Sequence, residues 1–322
     1  MFFRLLIVPI ILLIVGGLLL FDIIHNSIRL FQHKAKHRHI VGLTVSVSIV
    51  LIITYGFTMD FGAFKVHHVE FESSDLPASF YGYKIVMFTD VHIGNFAERR
   101  QWMVKRAVDS INAQNPDAIV FCGDIKNSDP SELKPFVGAL SSLKARDGVF
   151  SVLGNHDYSL HNHDISEEER RKCNEQTIKT ERSFGWHLLM NENAIIRRGA
   201  DSIVIAGEEN DGIKPFPCYA DAAKTMAGIN DSSFVVMLQH DPSAWHRQIL
   251  PQTNAQLTLS GHTHAGQMSI FGWSITSMIY KENNGAYYQG DRMLYVCSGL
   301  GGIVPFRINF PSEIVVITLK KK

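Results

Sequence analysis

The sequence has only four cysteines, no C-x-x-C pair, no internal repeat and no low-complexity tract, and its 31 basic residues are matched by 31 acidic ones. A chain with no surplus of positive charge lacks the electrostatic footprint of a nucleic-acid binder, so no nucleic-acid partner is expected. Without paired cysteines neither a zinc ribbon nor a thioredoxin-like motif is available. Cys122 and Cys297 lie in apolar runs and read as small core residues. Cys173 and Cys218 lie in polar surroundings where an exported domain could oxidise them, and sequence does not pair them.

Charge is missing altogether from two long stretches, residues 5–21 and 40–59. Each approaches the roughly 20 apolar residues that cross a hydrocarbon core, and Arg4 can snorkel to the interface. A cleaved signal peptide fits less well, because the first run is long for one, no A-x-A-like site follows, and a second run does. Between the runs, Arg29, Lys34, Lys36 and Arg38 face the single acid Asp22, with His25, His33, His37 and His39 interspersed. The positive-inside rule makes this loop cytoplasmic and puts everything after Met59 on the non-cytoplasmic face of a cell membrane. If one run lay in the interface instead, the large domain would be inside. The four histidines read as part of a headgroup-facing loop rather than a metal site.

The expected organisation is a membrane anchor over 1–59, a linker over 60–79 that leads into a strand through Val66, Val69 and Phe71, and a globular domain over 80–322. Residues 84–89 form a buried-strand run. Residues 97–114 form a helix, with Met103, Val104, Ala107, Val108 and Ile111 at helical spacing and Arg99, Arg100, Lys105 and Arg106 on its solvated face. A strand over 118–122 is followed by Asp129, a helix cap before Pro130. After the run 149–153, Ser166 and Glu169 make a capping box, and short strands dominate from 194 onward: 194–197, 202–206, 233–238, 255–259, 293–296 and 313–319. Strand, helix, strand, helix, strand in succession argues for an α/β layered domain.

Five of the apolar runs end alike, in Asp90-Val91-His92, Gly123-Asp124, Gly154-Asn155-His156, Gln239-His240 and Gly261-His262-Thr263-His264. Taken singly each is weak: Asp-x-His occurs by chance, Gly-Asp is usually a turn, and a lone histidine is more often a hydrogen-bonded core residue. Together they carry weight, because sites in open α/β sheets form at the carboxyl ends of strands. Asn155 and His156 are costly to bury unless something pairs with them, and a cation is a common partner. Alternate residues of an extended segment point the same way, which aims His262 and His264 at one centre. Carboxylates, an amide oxygen and imidazoles without thiolates suit Mn²⁺, Fe²⁺ or Zn²⁺. Seven such groups are too many for one ion and divide naturally into two sites sharing a carboxylate. Gly154 and Gly261 precede ligands where close backbone approach or positive φ is often needed. His161 and His163, in the polar stretch 159–182, read as loop residues, and Tyr158, Ala265, Gly266 and Gln267 as no more than lining.

This ordered set resembles the calcineurin-like metallophosphoesterases, whose pattern is D-x-H, G-D, G-N-H-[DE], H and G-H-x-H. The resemblance extends over roughly residues 84–319, and the ending from Gly299-Leu300-Gly301 through Arg307 to Ile314 is similar to a membrane-anchored bacterial branch. It implies a four-layer αββα sandwich of two mixed β-sheets flanked by helices. It also implies that Asp90, His92 and His264 hold one metal, that Asn155, His240 and His262 hold the other, and that Asp124 bridges them with one oxygen to each. His156 would then touch the phosphate rather than a metal, stabilising charge or protonating the leaving group, with Asp157 helping to orient it. Many relatives carry a carboxylate three residues after the bridging Asp, where this chain has Asn127.

The activity implied is hydrolysis of a phosphate monoester or diester by a metal-bridging hydroxide, with a lipid or cell-envelope metabolite among the candidate substrates. One rival is a lipid-linked nucleotide pyrophosphohydrolase of the UDP-2,3-diacylglucosamine type, which needs a cytoplasmic site. An exonuclease is disfavoured because no basic track accompanies the ligands. A non-catalytic metal-binding membrane scaffold would have no use for an unliganded His156 beside open coordination positions. The apolar residues 268–273 would face a lipid or simply pack.

Overall fold

The computed structural model describes residues 2–97, 100–162, 164–269 and 271–322, without the side chains of 2–13 and of Asp60. Arg99 and His163, named above, and Ile270 of the apolar run 268–273 lie outside the described residues. The chain forms two compact units, 1–59 and 60–322.

The first unit is a pair of helices, α1 (Phe2–Phe31) and α2 (His37–Tyr55). Two stretches are long and apolar enough to cross a membrane, Ile14–Phe31 within α1 and His37–Met59, which covers α2 and the turn after it. The first helix therefore runs ten residues beyond the charge-free stretch ending at Phe21. Part of the expected basic loop is helical and internally bonded: Ser46 Oγ donates to Asp22 Oδ2 at 2.8 Å, and His39 Nδ1 lies 3.0 Å from Asn26 Oδ1. Polar side chains on two apolar helices satisfy one another, which is how such groups are tolerated away from water.

Among the described residues the second unit contains twelve strands. The first sheet has the order β1 (Phe64–Ser73), β12 (Ser312–Lys321), β2 (Lys84–Phe88), β3 (Ala118–Phe121), β4 (Val149–Ser151), β5 (His187–Leu188). The second has the order β10 (Gly285–Gln289), β11 (Arg292–Val296), β9 (Leu257–Ser260), β8 (Phe234–Leu238), β7 (Asp201–Gly207), β6 (Glu192–Arg198). Both are mixed: β2, β3, β4 and β5 run parallel, as do β7, β8, β9 and β11, while β2–β12, β6–β7 and β10–β11 are antiparallel.

The central strands β3 and β8 are apolar at every position, and β2 at all but its first, because both faces are covered. In β2, Ile85 and Met87 point between the sheets to meet Ile205, Val236 and Leu257. Val86 and Phe88 point the other way, onto Val104, Ala107, Val108 and Ile111 of α3 (Gln101–Ala113) and onto Leu133 and Phe136 of the turn that precedes α4 (Val137–Leu140). On the outer face of the second sheet Trp245 and Ile249 cover Val204, Val235 and Met237. The result is the two-sheet sandwich with flanking helices that the resemblance implies. The remaining long helix, α5 (Glu167–Ser183), opens on the Ser166–Glu169 capping box.

Three sequence readings change. The helix expected from residue 97 begins at Gln101, after a 3-10 turn, Ile93–Phe96, that follows His92 in left-handed geometry at φ 46°. Residues 60–79 are not simply a linker, since β1 pairs with β12 over ten positions and belongs to the sheet. The two-residue β5 and the edge strand β10, whose side chains are largely exposed, carry too little apolar signal to be seen in sequence. All four cysteines are free, and the Cys218 thiol donates to Asp211 Oδ1 at 2.7 Å.

Candidate metal centre

Each of the five polar motifs leaves the carboxyl end of a strand, Asp90 after β2, Asp124 after β3, Asn155 after β4, His240 after β8, and His262 with His264 after β9. Because these strands run parallel within each sheet, their ends lie on one edge of the sandwich. Turning every chain abruptly there demands unusual backbone. Asp90, His92, Asp124, His262 and His264 all have φ between 46° and 73°, a region that costs a non-glycine residue about 1–3 kcal/mol and persists where surrounding structure enforces it. Gly154 and Gly261 serve close approach rather than positive φ, since a Cβ on Gly154 would strike the Asp124 carboxylate and one on Gly261 that of Asp90.

Two groups of side chains result. In the first, His92 Nε2 faces His264 Nε2 at 3.2 Å, with Asp90 Oδ1 3.5 Å from His264 and Asp124 Oδ2 3.5 Å from His92. In the second, His240 Nε2 lies 3.2 Å from Asn155 Oδ1, 3.2 Å from His262 Nδ1 and 3.3 Å from Asp124 Oδ2. Asp124 thus reaches both groups through the same oxygen. Its Oδ1 accepts the His156 backbone N–H at 2.8 Å, so the expected sharing of one oxygen to each side gives way to Oδ2 serving both.

A cation fits this donor set. The Nε2 atoms of His92 and His264 face each other across 3.2 Å, and neither Nδ1 has a hydrogen-bond partner among the described residues. Burial pushes His92 down to about 3, His262 to about 4 and His264 well below its usual value, so all three are neutral at pH 7, the state that ligates. Burial pushes Asp90 up to about 7. At Asp124 burial is outweighed by His240 and His156, which hold the carboxyl well below the usual range, and Asp124 in turn raises His240 to about 10 against its burial. The positive charge a proton supplies between Asp124 and His240 is what a metal ion would supply instead.

The outer partners fix the ligating atoms. His240 Nδ1 donates to the Cys122 carbonyl at 2.7 Å, which leaves Nε2 for the cluster. His262 Nε2 is 2.8 Å from the Tyr280 hydroxyl and 3.4 Å from Asp241 Oδ2, which leaves Nδ1. Thr89 Oγ1 and the His262 backbone N–H hold Asp90.

His156 stands beside the cluster, its ring 4.7 Å from that of His92. Its Nδ1 lies 2.7 Å from the backbone carbonyl oxygen of Asn127. A carbonyl only accepts, so the proton is on Nδ1 and Nε2 is the atom left for exchange. The Asn127 side chain is engaged elsewhere, accepting from the Gly94 N–H at 3.1 Å. Asp157, expected to orient His156, is buried with its carboxylate accepting the backbone N–H groups of Asp124, Ile125 and Gly154 at 2.8, 3.0 and 2.8 Å. It splices the β3 and β4 loops together and holds the ligand-bearing backbone.

Sequence reading missed several contributors. His161 stacks on His156 at 4.0 Å between ring centres, and its Nε2 lies 2.9 Å from Asn155 Nδ2, turning the amide so that Oδ1 faces His240. Glu132 accepts the N–H groups of Asn127, Ser128 and Asp129 at 2.7, 3.0 and 2.9 Å. Lys126 is buried with its ammonium on the carbonyls of Ser128 and His156 and on Ser159 Oγ. The capping spacing of Asp129 and Glu132 was the one available signal; Phe216 and Tyr280 reach the site from irregular loops that carry none. A cavity of about 500 Å³ opens over the cluster, lined by His156, His161, Phe216, Ile275, Tyr280 and Ile303 among others.

The profile of the calcineurin-like phosphoesterase family matches residues 83–266. The chain is 30% identical over 290 residues to a zebrafish transmembrane protein with metallophosphoesterase domain, an alignment covering 87% of this chain but only 62% of that relative. An uncharacterized metallophosphoesterase of Bacillus subtilis is 30% identical over 77% of this chain and 83% of its own length. One from Campylobacter jejuni is 29% identical over 85% and 69%.

Proposed function

The chain belongs to the calcineurin-like phosphoesterase family, and on that premise we propose that it is a membrane-anchored hydrolase of phosphoric esters that uses two divalent ions, Mn²⁺, Fe²⁺ or Zn²⁺. Asp90, His92 and His264 would hold one ion, Asn155, His240 and His262 the other, with Asp124 shared by both. Bound there, the ions supply Lewis acidity towards phosphoryl oxygens and lower the pKa of a water.

His156 is the observation that carries the reading. A centre built only to hold metal gains nothing from an imidazole fixed at Nδ1 by a carbonyl and lining the cavity through the rest of its ring. When protonated, its Nε2 donates to a phosphoryl oxygen or to the leaving oxygen; after transfer it is restored from solvent. Proton donation of this kind is worth about 10²–10⁴ in rate. Asp157, Glu132 and Lys126 keep the two loops in register so that Asp124 and His156 meet the same phosphoryl group.

The anchor is supported by the two candidate spans, and the non-cytoplasmic placement of the site by the basic residues between them. A compartment-sensitive reporter fused after Lys322 tests the side, and activity of that reporter only in the cytoplasm would reverse it. For the chemistry, Asp124→Asn or His262→Ala is expected to abolish turnover of a chromogenic phosphate ester while thermal unfolding stays cooperative. Near wild-type turnover in either variant would sink the proposal.

A further inference from the structure

The cavity over the ligand cluster is lined by two kinds of side chain. Beside the polar Asp124, Asn155, His156 and His264 it is lined by the hydrocarbon of Phe216, Ile275 and Ile303. Phe216 presents its ring edge-on to His262 at 4.6 Å between centres, so carbon begins directly beside a side chain of the cluster. No lysine or arginine lines the cavity among the described residues. A substrate bearing several phosphates or other anionic groups would find nothing there beyond the ligand cluster and its neighbouring histidines.

Ile275 and Ile303 belong to two uncharged segments. Residues 268–280 and 297–306 contain no charged residue, yet they hold some of the most exposed apolar side chains of the second unit: Phe271 at 104%, Met278 at 74%, Ile279 at 72% and Ile303 at 57%. Gln267, itself part of the cavity wall, ties the two segments together, its Nε2 donating to the carbonyls of Val304 and Phe306 at 2.8 and 2.7 Å. Single exposed apolar residues are ordinary on soluble surfaces. Two uncharged segments that each lend a side chain to the cavity, Ile275 and Ile303, and also carry such exposed residues are not, and such patches mark binding sites.

We propose that the organic group of the ester is a hydrocarbon chain: its phosphoryl head sits at the ligand cluster while the chain lies along Phe216, Ile275 and Ile303 and leaves the cavity over the two uncharged segments. The substrate class is then an amphiphilic phosphoester with a single phosphoryl group at the site. This rests on the phosphoesterase reading above.

The test is equilibrium binding to the full chain in lipid nanodiscs, loaded with Mn²⁺, by calorimetry. Inorganic phosphate is compared with ethyl, butyl, hexyl and octyl phosphate, with the heat of partitioning into protein-free discs subtracted. Affinity is expected to rise roughly two- to fourfold for each methylene that reaches these apolar side chains. Ile303→Ser and Phe216→Ser are each expected to reduce that slope by roughly half. Ile303 is exposed, so its replacement leaves the core untouched. If inorganic phosphate binds but affinity is independent of chain length, or the slope is the same in both variants as in the wild type, the hydrocarbon subsite is overturned and the phosphoesterase reading stands. Failure of inorganic phosphate to bind the metal-loaded chain overturns the phosphoesterase reading, and the subsite falls with it.

Discussion

The imidazole Nδ1 of His156 lies 2.7 Å from the backbone carbonyl oxygen of Asn127. A main-chain atom thus takes the orienting role that a carboxylate side chain was expected to fill, and the identity of residue 127 matters less than the path of its backbone. His156→Ala should lower kcat by about 10²–10⁴ with bound metal retained. Asn127→Ala keeps the carbonyl and should cost less than about tenfold in kcat, within the same comparison. Steady-state kinetics beside metal analysis decides it: equal losses in the two variants would show that the side chain, not the carbonyl, does the holding.

The path of that backbone is set by Glu132, whose carboxylate gathers three successive amides. Glu132→Ala leaves those donors without their partner, at about 1–3 kcal/mol for each that stays buried. The expected outcome is a lowered Tm together with a lowered kcat, both partly rescued by Glu132→Gln. Full activity in Glu132→Ala would separate the capping turn from His156.

Asp157 makes the opposite case from His156. Its carboxylate is spent on backbone amides, so Asp157→Ala is expected to act first on stability, at about 1–3 kcal/mol per amide left unpaired. Denaturant unfolding and turnover measured on the same preparation distinguish the two roles. Loss of turnover at undiminished stability would make Asp157 a participant in the chemistry.

His161 turns the Asn155 amide towards His240. Partners of this kind commonly change metal affinity by about 10–100-fold. His161→Ala should therefore weaken one of the two metal sites by that margin and leave the other near its wild-type value, as read by calorimetric titration with Mn²⁺. Two undisturbed sites would confine His161 to the cavity wall.

Away from the site, Glu181 on α5 is fully buried beside Ser151. Burial, then the neighbouring Asp157 charge, pushes its carboxyl up to about 8 from 4.5. Native Glu181 keeps its proton through that interval while the unfolded chain loses it. Its contribution is therefore fully present below pH 4.5 and is lost as pH rises to about 8. The loss amounts to a few kcal/mol, about 1.4 per pH unit of displacement. Glu181→Gln should flatten the fall of Tm across this interval and leave the variant more stable than wild type above it. A Tm profile parallel to wild type would contradict the assignment.

How much of this was legible in the sequence depended on what signalled each feature. Strands such as β2 and β8 announced themselves as unbroken apolar runs because both faces are buried, and their polar terminations named the ligands from Asp90 to His264. The capping box at Ser166 was legible because its chemistry is local. β5, β10 and the pairing of β1 with β12 were not, because a two-residue strand, an exposed edge and a long-range register leave no periodic trace. The same limit hid the outer partners. Tyr280 and Phe216 reach the site from irregular loops, and the hold on His156 is a main-chain oxygen, which no side-chain motif records. Asp124 sharing a single oxygen became visible only when the His156 amide was found on the other.

The central claim is tested most directly by titrating Mn²⁺ into metal-stripped full-length protein while following hydrolysis of a chromogenic phosphate diester. Turnover is predicted to be absent at the start, to rise to a plateau at about two equivalents, and to stay absent in Asp124→Asn. Two tightly bound ions with no hydrolysis of this or any other phosphate ester would contradict it and leave the centre a structural metal site.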